Sequence, residues 1–139
     1  MAGTTDEFRE CEGCYCRAVR RAARVITQHY AKHMRPLGLR STQFTLLVAL
    51  ARSSPIPMNR LATRLAIERT TLTRNLRPLV AKGWVAIEPD EDRRVHNLRL
   101  TAAGLAKARE ALPLWRAAQK SAPKKLAALR LVEILPASP

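Results

Sequence analysis

The chain has 139 residues, 47% hydrophobic but only 4% aromatic, with 25 Lys and Arg against 11 Asp and Glu for a formal charge of +14. That is the length of one domain with enough apolar mass for its own core, and its richness in Leu and Ala favours packed helices over a large sheet; a disordered chain and a multidomain enzyme are both excluded. The excess of cations calls for a polyanionic partner, nucleic acid first and an anionic membrane surface second.

No apolar run approaches the roughly 18 residues needed to cross a bilayer, and "MAGTTDEFRECEGC" is polar and acidic, without the order of a signal peptide. The expected location is therefore the cytoplasm, with no membrane partner. Three cysteines cannot close an intramolecular set, so free thiols are expected.

Residues 1–12 carry Asp6, Glu7, Glu10 and Glu12 with little periodicity and are expected to form a loose arm. From Gly13 to about Arg35, Val19, Ala22, Ile26, Tyr30 and Met34 recur every three or four residues, the period of an amphipathic helix. "PLG" at 36–38 ends it. Ser41 is expected to cap a second helix containing Phe44, Leu46, Leu47 and Leu50, which "RSSP" closes. A third, shorter helix follows Pro57 and should bury Leu61, Ala62, Leu65 and Ala66; a brief turn leads to a fourth that ends at Gly83. "WVAIEP" and "HNLRLT" then alternate like two strands around a charged "DEDRR" tip. Thr101 should cap a long Ala/Leu helix to about Gln119, interrupted at Pro113, and a last helix should run from about Lys124 to Leu135.

The stretch "LAIERTTLTRNLRPLV" holds the chemistry. On a helical wheel Leu72, Leu76 and Leu79 fall on one side, with Thr70, Thr73, Arg74 and Arg77 opposite. A leucine stripe opposite a Thr/Arg stripe suits a helix in a DNA major groove: threonine reaches bases or the thymine methyl, and arginine forks onto guanine or phosphate. "MNRLATRLAIE" before it supplies the first helix of a helix-turn-helix. The hairpin then forms a wing whose Arg93 and Arg94 reach a narrow minor groove, where negative potential concentrates. Asp92, two residues from Arg94, is spaced to orient that guanidinium by a charge-assisted hydrogen bond.

"LGLRSTQFTLLVAL", "LATRLAIERTTLTRNLRPLVAKGWV" and "DRRVHNLRLTAAG" together resemble the MarR family of winged-helix transcriptional regulators, over roughly Cys16 to Gln119. The Asp-x-Arg of the wing followed by Leu-x-Leu-Thr is the most specific part. The resemblance implies one domain, mostly α with a small β-wing. In it a winged helix-turn-helix at 41–100 is flanked by dimerisation helices at 13–35 and 102–135. It further implies a homodimer on palindromic double-stranded DNA, usually a repressor. DNA contacts would fall to Arg69, Thr70, Thr71, Thr73, Arg74 and Arg77 in the recognition helix and to Asp92, Arg93 and Arg94 in the wing. Pro78 departs from an ordinary recognition helix. It removes the hydrogen bond to the Arg74 carbonyl and should bend or loosen the helix there, beyond the reading end.

"ECEGCYCR" places Cys11, Cys14 and Cys16 at the start of the first long helix. A thiol in a first helical turn, four residues before Arg20, suits oxidation. Cys16 also precedes Gln43 by about the distance that the reactive cysteine does in the family's organic-hydroperoxide sensors. Tyr30 falls where one of that group's two cysteine-contacting tyrosines lies; Arg20 stands at the other. The alternative signal is a small molecule in the cleft between dimer helices and reading head. No metal is expected, since the three thiols lack a fourth ligand and His29 and His33, on a basic helix, should be solvated. No cofactor is expected, and without a phosphate-binding glycine loop or nucleophile motif no enzyme either. The rival class is a small basic structural RNA-binding protein, which would more often carry basic tails than an acidic arm.

Overall fold

The computed structural model describes residues 6–129. Asp6–Gly13 forms an exposed 3-10 helix, which corrects the expectation of a loose arm over its described part. After it come α1 (Tyr15–Met34), α2 (Ser41–Ser53), β1 (Ile56–Pro57), α3 (Met58–Arg64), α4 (Arg69–Ala81), β2 (Val85–Pro89), β3 (His96–Leu100) and α5 (Ala102–Ala128).

The core gathers where α2, α3, α4 and the sheet meet. Leu47, Leu50, Leu61, Leu72, Leu79 and Leu98 are wholly buried there, with Met34 from the end of α1 and Ala111 from α5. At ~1.5–3 kcal/mol for each large apolar side chain taken out of water, this cluster supplies the main stabilisation of the central part of the chain. The sheet has the antiparallel order β1-β3-β2, with Ile56 opposite Leu98 and Val85 opposite Leu100. β1 has two residues and was not anticipated; it exists because β3 offers it an edge, and Ser54 Oγ accepts from the Leu100 amide at 2.9 Å beside it.

Helix ends follow local chemistry. Gly38, at φ 60°, closes the 3-10 turn after α1. The residue capping α2 is Arg40 and not Ser41: the Gln43 side chain reaches back to the Arg40 amide at 2.9 Å, and Ser41 is already helical. Thr101 caps α5 as expected, its hydroxyl oxygen accepting from the Gly104 amide at 3.1 Å.

α5 corrects the expectation of two helices. It continues through Pro113 and Pro123 to Ala128. Each proline costs one intrahelical bond, but both rings are exposed while Ala111, Ala118 and Ala122 on the other face are buried. The packed face holds the helix together across the breaks. Residues 130–135 of the expected last helix lie outside the described residues.

α1 and α5 pack on one another, and the buried residues they contribute are mostly small: Ala18 and Ala22 on α1, and Ala111, Ala118 and Ala122 on α5. The buried face of α1 is thus Ala18, Ala22, His29 and Met34, and Val19 is 58% exposed. His29 is not solvated. Its Nε2–H donates to the Ala118 carbonyl at 2.9 Å, with Ser121 Oγ at 3.0 Å. His33 Nδ1–H in turn donates to the His29 carbonyl at 2.9 Å, and the two rings lie 4.8 Å apart. Among the described residues no helix is long and apolar enough to cross a membrane.

Candidate nucleic-acid interface

The turn from α3 to α4 sets which side of α4 faces outward. α3 ends with the Ile67 amide on the Ala62 carbonyl and the Ala66 amide on the Thr63 carbonyl, both at 3.1 Å, with Ala66 at φ 52°. That paired reversal turns the chain sharply and fixes where α4 begins. Leu65 is half-buried and packs against the core, whereas Ala66 is exposed, so the expectation that both are buried is corrected at Ala66.

α4 buries Leu72, Leu76 and Leu79 to 0–1% exposure. Arg69, Thr70, Thr73, Arg74 and Arg77 together line a shallow depression on its outer side. Five of the six proposed contacts from this helix therefore share one surface. Thr71 does not; two residues before Thr73, it falls on the opposite flank of the helix and is absent from that surface. Thr73 Oγ1 donates to the Arg69 carbonyl at 2.9 Å and lies 3.7 Å from Met58 Sδ. With its proton spent on the helix, the Thr73 hydroxyl has only lone pairs left to offer. The helix runs on through Pro78 to Ala81, and its last turns stay closed because Pro78 still accepts from the Lys82 amide at 3.1 Å. Pro78 thus does not end the helix after Arg74.

The wing answers why carboxylates sit beside arginines. Asp92 Oδ1 accepts from the Arg94 backbone amide at 3.0 Å, not from its guanidinium. Asp90 accepts from the Asp92 amide at 3.2 Å through Oδ1 and from Asn97 Nδ2 at 2.7 Å through Oδ2. The Val95 amide closes the tip onto the Asp92 carbonyl at 2.8 Å. The hydrogen bond from Asn97, then those from the Asp92 and Glu91 amides, hold the Asp90 carboxyl below the ordinary carboxylate range. The acids thus brace the turn's backbone and leave Arg93 and Arg94 exposed at its end. Sequence reasoning missed Asp90 and Asn97 as wing-forming residues. The Asx pattern, a short acid two residues before an amide it can cap, was the available signal. Lower on the hairpin, Arg99 Nε pairs with Glu88 Oε1 at 2.6 Å across the strands.

The proposed sensing residues are not brought together within one chain. Cys11, Cys14 and Cys16 are all exposed, with Cys14 the cap residue of α1. Tyr30 is fourteen residues beyond Cys16 on the same helix, ~21 Å along its axis, and its hydroxyl donates to Gln119 Oε1 on α5. Tyr30 instead borders a hollow of about 230 Å³ between α1, α2 and α5, with Ile26, Thr42, Phe44, Thr45 and Trp115 among its walls. No ionisable group other than Tyr30 lines it. Among the described residues no group of three or more His, Cys, Asp or Glu is placed to hold a metal ion.

Comparison with known proteins agrees with this geometry. Residues 37–94 match the family model described as "MarR family". Over 83 residues the chain is 30% identical to the uncharacterized HTH-type transcriptional regulator YwoH of Bacillus subtilis (strain 168), covering 60% of this chain and 61% of that relative's length. Among solved structures it is similar to the M. tuberculosis transcriptional regulator MosR in complex with DNA, at 43% identity and TM-score 0.72 over 76% of this chain and 77% of that one. It is also similar to wild-type apo MarR from E. coli, at 25% identity and TM-score 0.68 over 88% and 96%. With the buried leucine stripe, the exposed Thr/Arg face and the braced hairpin in place, this chain belongs to the MarR family of winged-helix transcriptional regulators.

Proposed function

We propose that the protein is a cytoplasmic, sequence-specific regulator of transcription that binds double-stranded DNA as a homodimer, represses from a palindromic site, and is released by a small molecule or by cysteine oxidation. The observation that carries the reading is the α4 surface: five polar side chains turned outward from a helix whose leucines are fully engaged in the core. Such a helix has spare hydrogen-bonding capacity on one side only, and a major groove is wide enough to admit it. The solved MosR complex contains DNA, which supports the same reading here. Dimerisation draws on the half-buried Ile26, Leu112, Leu114 and Trp115 and the exposed Val19 of α1 and α5. Leu129 is already buried within the chain, and Leu131 and Ile134 lie outside the described residues.

Two signals are proposed. The hollow beside Tyr30, at about 230 Å³, is smaller than the ~300–1,000 Å³ of drug-sized sites. Its hydroxyls and rings, without a cation, suit a small neutral aromatic compound. At the other end of α1, a peroxide would oxidise the Cys16 thiolate to sulfenic acid with release of water or alcohol. Condensation with Cys11, Cys14 or a cysteine of a second copy would then form a disulfide and expel water.

Selection of bound sequences from random duplex DNA, on reduced and on peroxide-treated protein, tests the whole reading. The expected result is a two-fold symmetric site, lost after peroxide in the wild type and kept in Cys16→Ser. Preference for structured RNA over any duplex would defeat the DNA assignment. Equal loss in both proteins would remove Cys16 as the switch and leave the Tyr30 hollow.

A further inference from the structure

The strongest unassigned feature lies on α1, well away from the reading head. Arg17, Arg20, Arg21 and Arg24 are all exposed and stand at i, i+3, i+4 and i+7, the spacing of one helix face. Ala18, Ala22 and His29 point the other way, into α5. The stripe therefore looks outward from the side that holds the helix pair together, and its loss leaves that seam intact. Arg24 lies ten residues, ~15 Å, before the core residue Met34.

This charge is uncompensated. Residues 13–67 contain no Asp or Glu, and among the described residues none of the four arginines takes part in an ion pair or hydrogen bond. Four guanidiniums over two helical turns repel one another unless an anion is near. Their stripe extends ~10 Å along the axis, about three base-pair rises of 3.4 Å. All four are arginine, whose planar fork fits phosphate in a bidentate manner and whose cation is weakly hydrated. Neither threonine nor asparagine interrupts the stripe, so it carries charge without base-edge chemistry.

We propose that the arginine face of α1 is a second, sequence-independent contact for the phosphate backbone of duplex DNA, separate from the α4 surface. It adds affinity for any duplex and nothing to base preference. Its occupant is the phosphate backbone of a duplex of any sequence, held against the helix bundle. The proposal does not depend on α4 reading bases, since its binding is measured on scrambled sequence.

The test compares the wild-type full-length chain, R17Q/R20Q/R21Q/R24Q, the matching fourfold Lys variant, and R74A/R77A, each titrated with a short scrambled-sequence duplex at several salt concentrations. Neutralising four phosphates contributes a slope of about −0.9 per contact in log affinity against log salt, so the Gln variant should lose about 3 to 4 from the slope. It should then lose about a hundredfold less affinity between 50 and 200 mM salt than the wild type. The Lys variant keeps the wild-type slope, and R74A/R77A keeps the share owed to α1. Selected base preference is the same for the wild type and the Gln variant. A Gln variant with the wild-type slope overturns the proposal, as does a Lys variant that fails like the Gln variant. So does a change in sedimenting mass on Gln substitution, which would make the stripe a contact to the acidic Glu7, Glu10 and Glu12 segment of a second copy.

Discussion

Ala66 and Gly83 occupy the same backbone position in two successive copies of one helix-ending motif. After α4 the Trp84 amide donates to the Leu79 carbonyl and the Gly83 amide to the Val80 carbonyl, each at 2.9 Å, with Gly83 at φ 71°. After α3 Ile67 and Ala66 make the same pair of bonds, and Ala66 holds φ 52°. The left-handed position costs an ordinary residue ~1–2 kcal/mol, which glycine avoids.

Ala66→Gly is therefore expected to stabilise the fold. The relief is offset in part by glycine's greater freedom in the unfolded chain, ~0.4–1 kcal/mol, leaving a gain of up to about 1.6 kcal/mol. Gly83→Ala is the mirror experiment. An added Cβ there meets nothing within 4 Å, so its cost is conformational and should run the other way by a similar amount. Urea midpoints of the two variants on either side of the wild type would check this; a destabilised Ala66→Gly would show that the turn is not strained.

Gly104 is required for a different reason. A Cβ at that position would stand 2.1 Å from the Trp84 carbonyl oxygen, which already accepts from the Thr101 amide at 3.1 Å. The first turn of α5 is pressed onto the strand that begins the wing, and backbone cannot step aside as a side chain can. Gly104→Ala should cost ~1–3 kcal/mol as overpacking and lower the thermal midpoint, although alanine is the better helix former. A variant as stable as the wild type would mean that α5 can slide along the sheet.

Local pattern made much of this legible. The leucine period of α4, the caps at Gly38 and Thr101 and the two alternating strands are written in neighbouring residues, and the structure places them there. What escaped depends on residues far apart in sequence. β1 is too short to read and exists only as a partner of β3. α5 survives two prolines because its alanines pack on α1, and His29 is buried because Ala118 and Ser121 give it acceptors. In the candidate site the Thr/Arg stripe could be read, but the role of the wing acids could not. Asp90 and Asp92 look like a surface charge run until their backbone partners are seen.

That bracing makes the wing sensitive to acid. The Asp90 carboxyl is held below its ordinary value, first by Asn97. A carboxylate depressed on folding contributes order that is complete above its unfolded value and is lost as pH falls through the folded one. The wing should thus be unaffected between neutral pH and about pH 5 and loosen only below the ordinary carboxylate range near 4. Asn97→Ala should move the Asp90 titration up toward that range, read from carboxyl carbon shifts by NMR. An unchanged midpoint would show that the backbone amides alone hold the charge.

The sharpest test of the reading head separates Arg74 from Arg94. Arg74 lies on the outer α4 surface with Thr70 and Thr73, where a guanidinium can fork onto a guanine edge. Arg94 is exposed on a tip whose backbone is pinned by Asp92, suited to a groove read by width. Removing Arg74 should cost ~1–3 kcal/mol on the preferred site and relax the preference at one position in each half-site. Removing Arg94 should weaken binding most where A·T-rich flanks narrow the minor groove, leaving the central base preference unchanged. Asp92→Ala keeps both guanidiniums but frees the Arg94 amide, so it should reproduce a milder form of the Arg94 loss. Binding of each variant to a panel of sites differing in one half-site base and in flank composition resolves these. If Arg74→Ala weakens every sequence equally, Arg74 is a phosphate contact, and base reading falls to Thr70, Thr73 and Arg77.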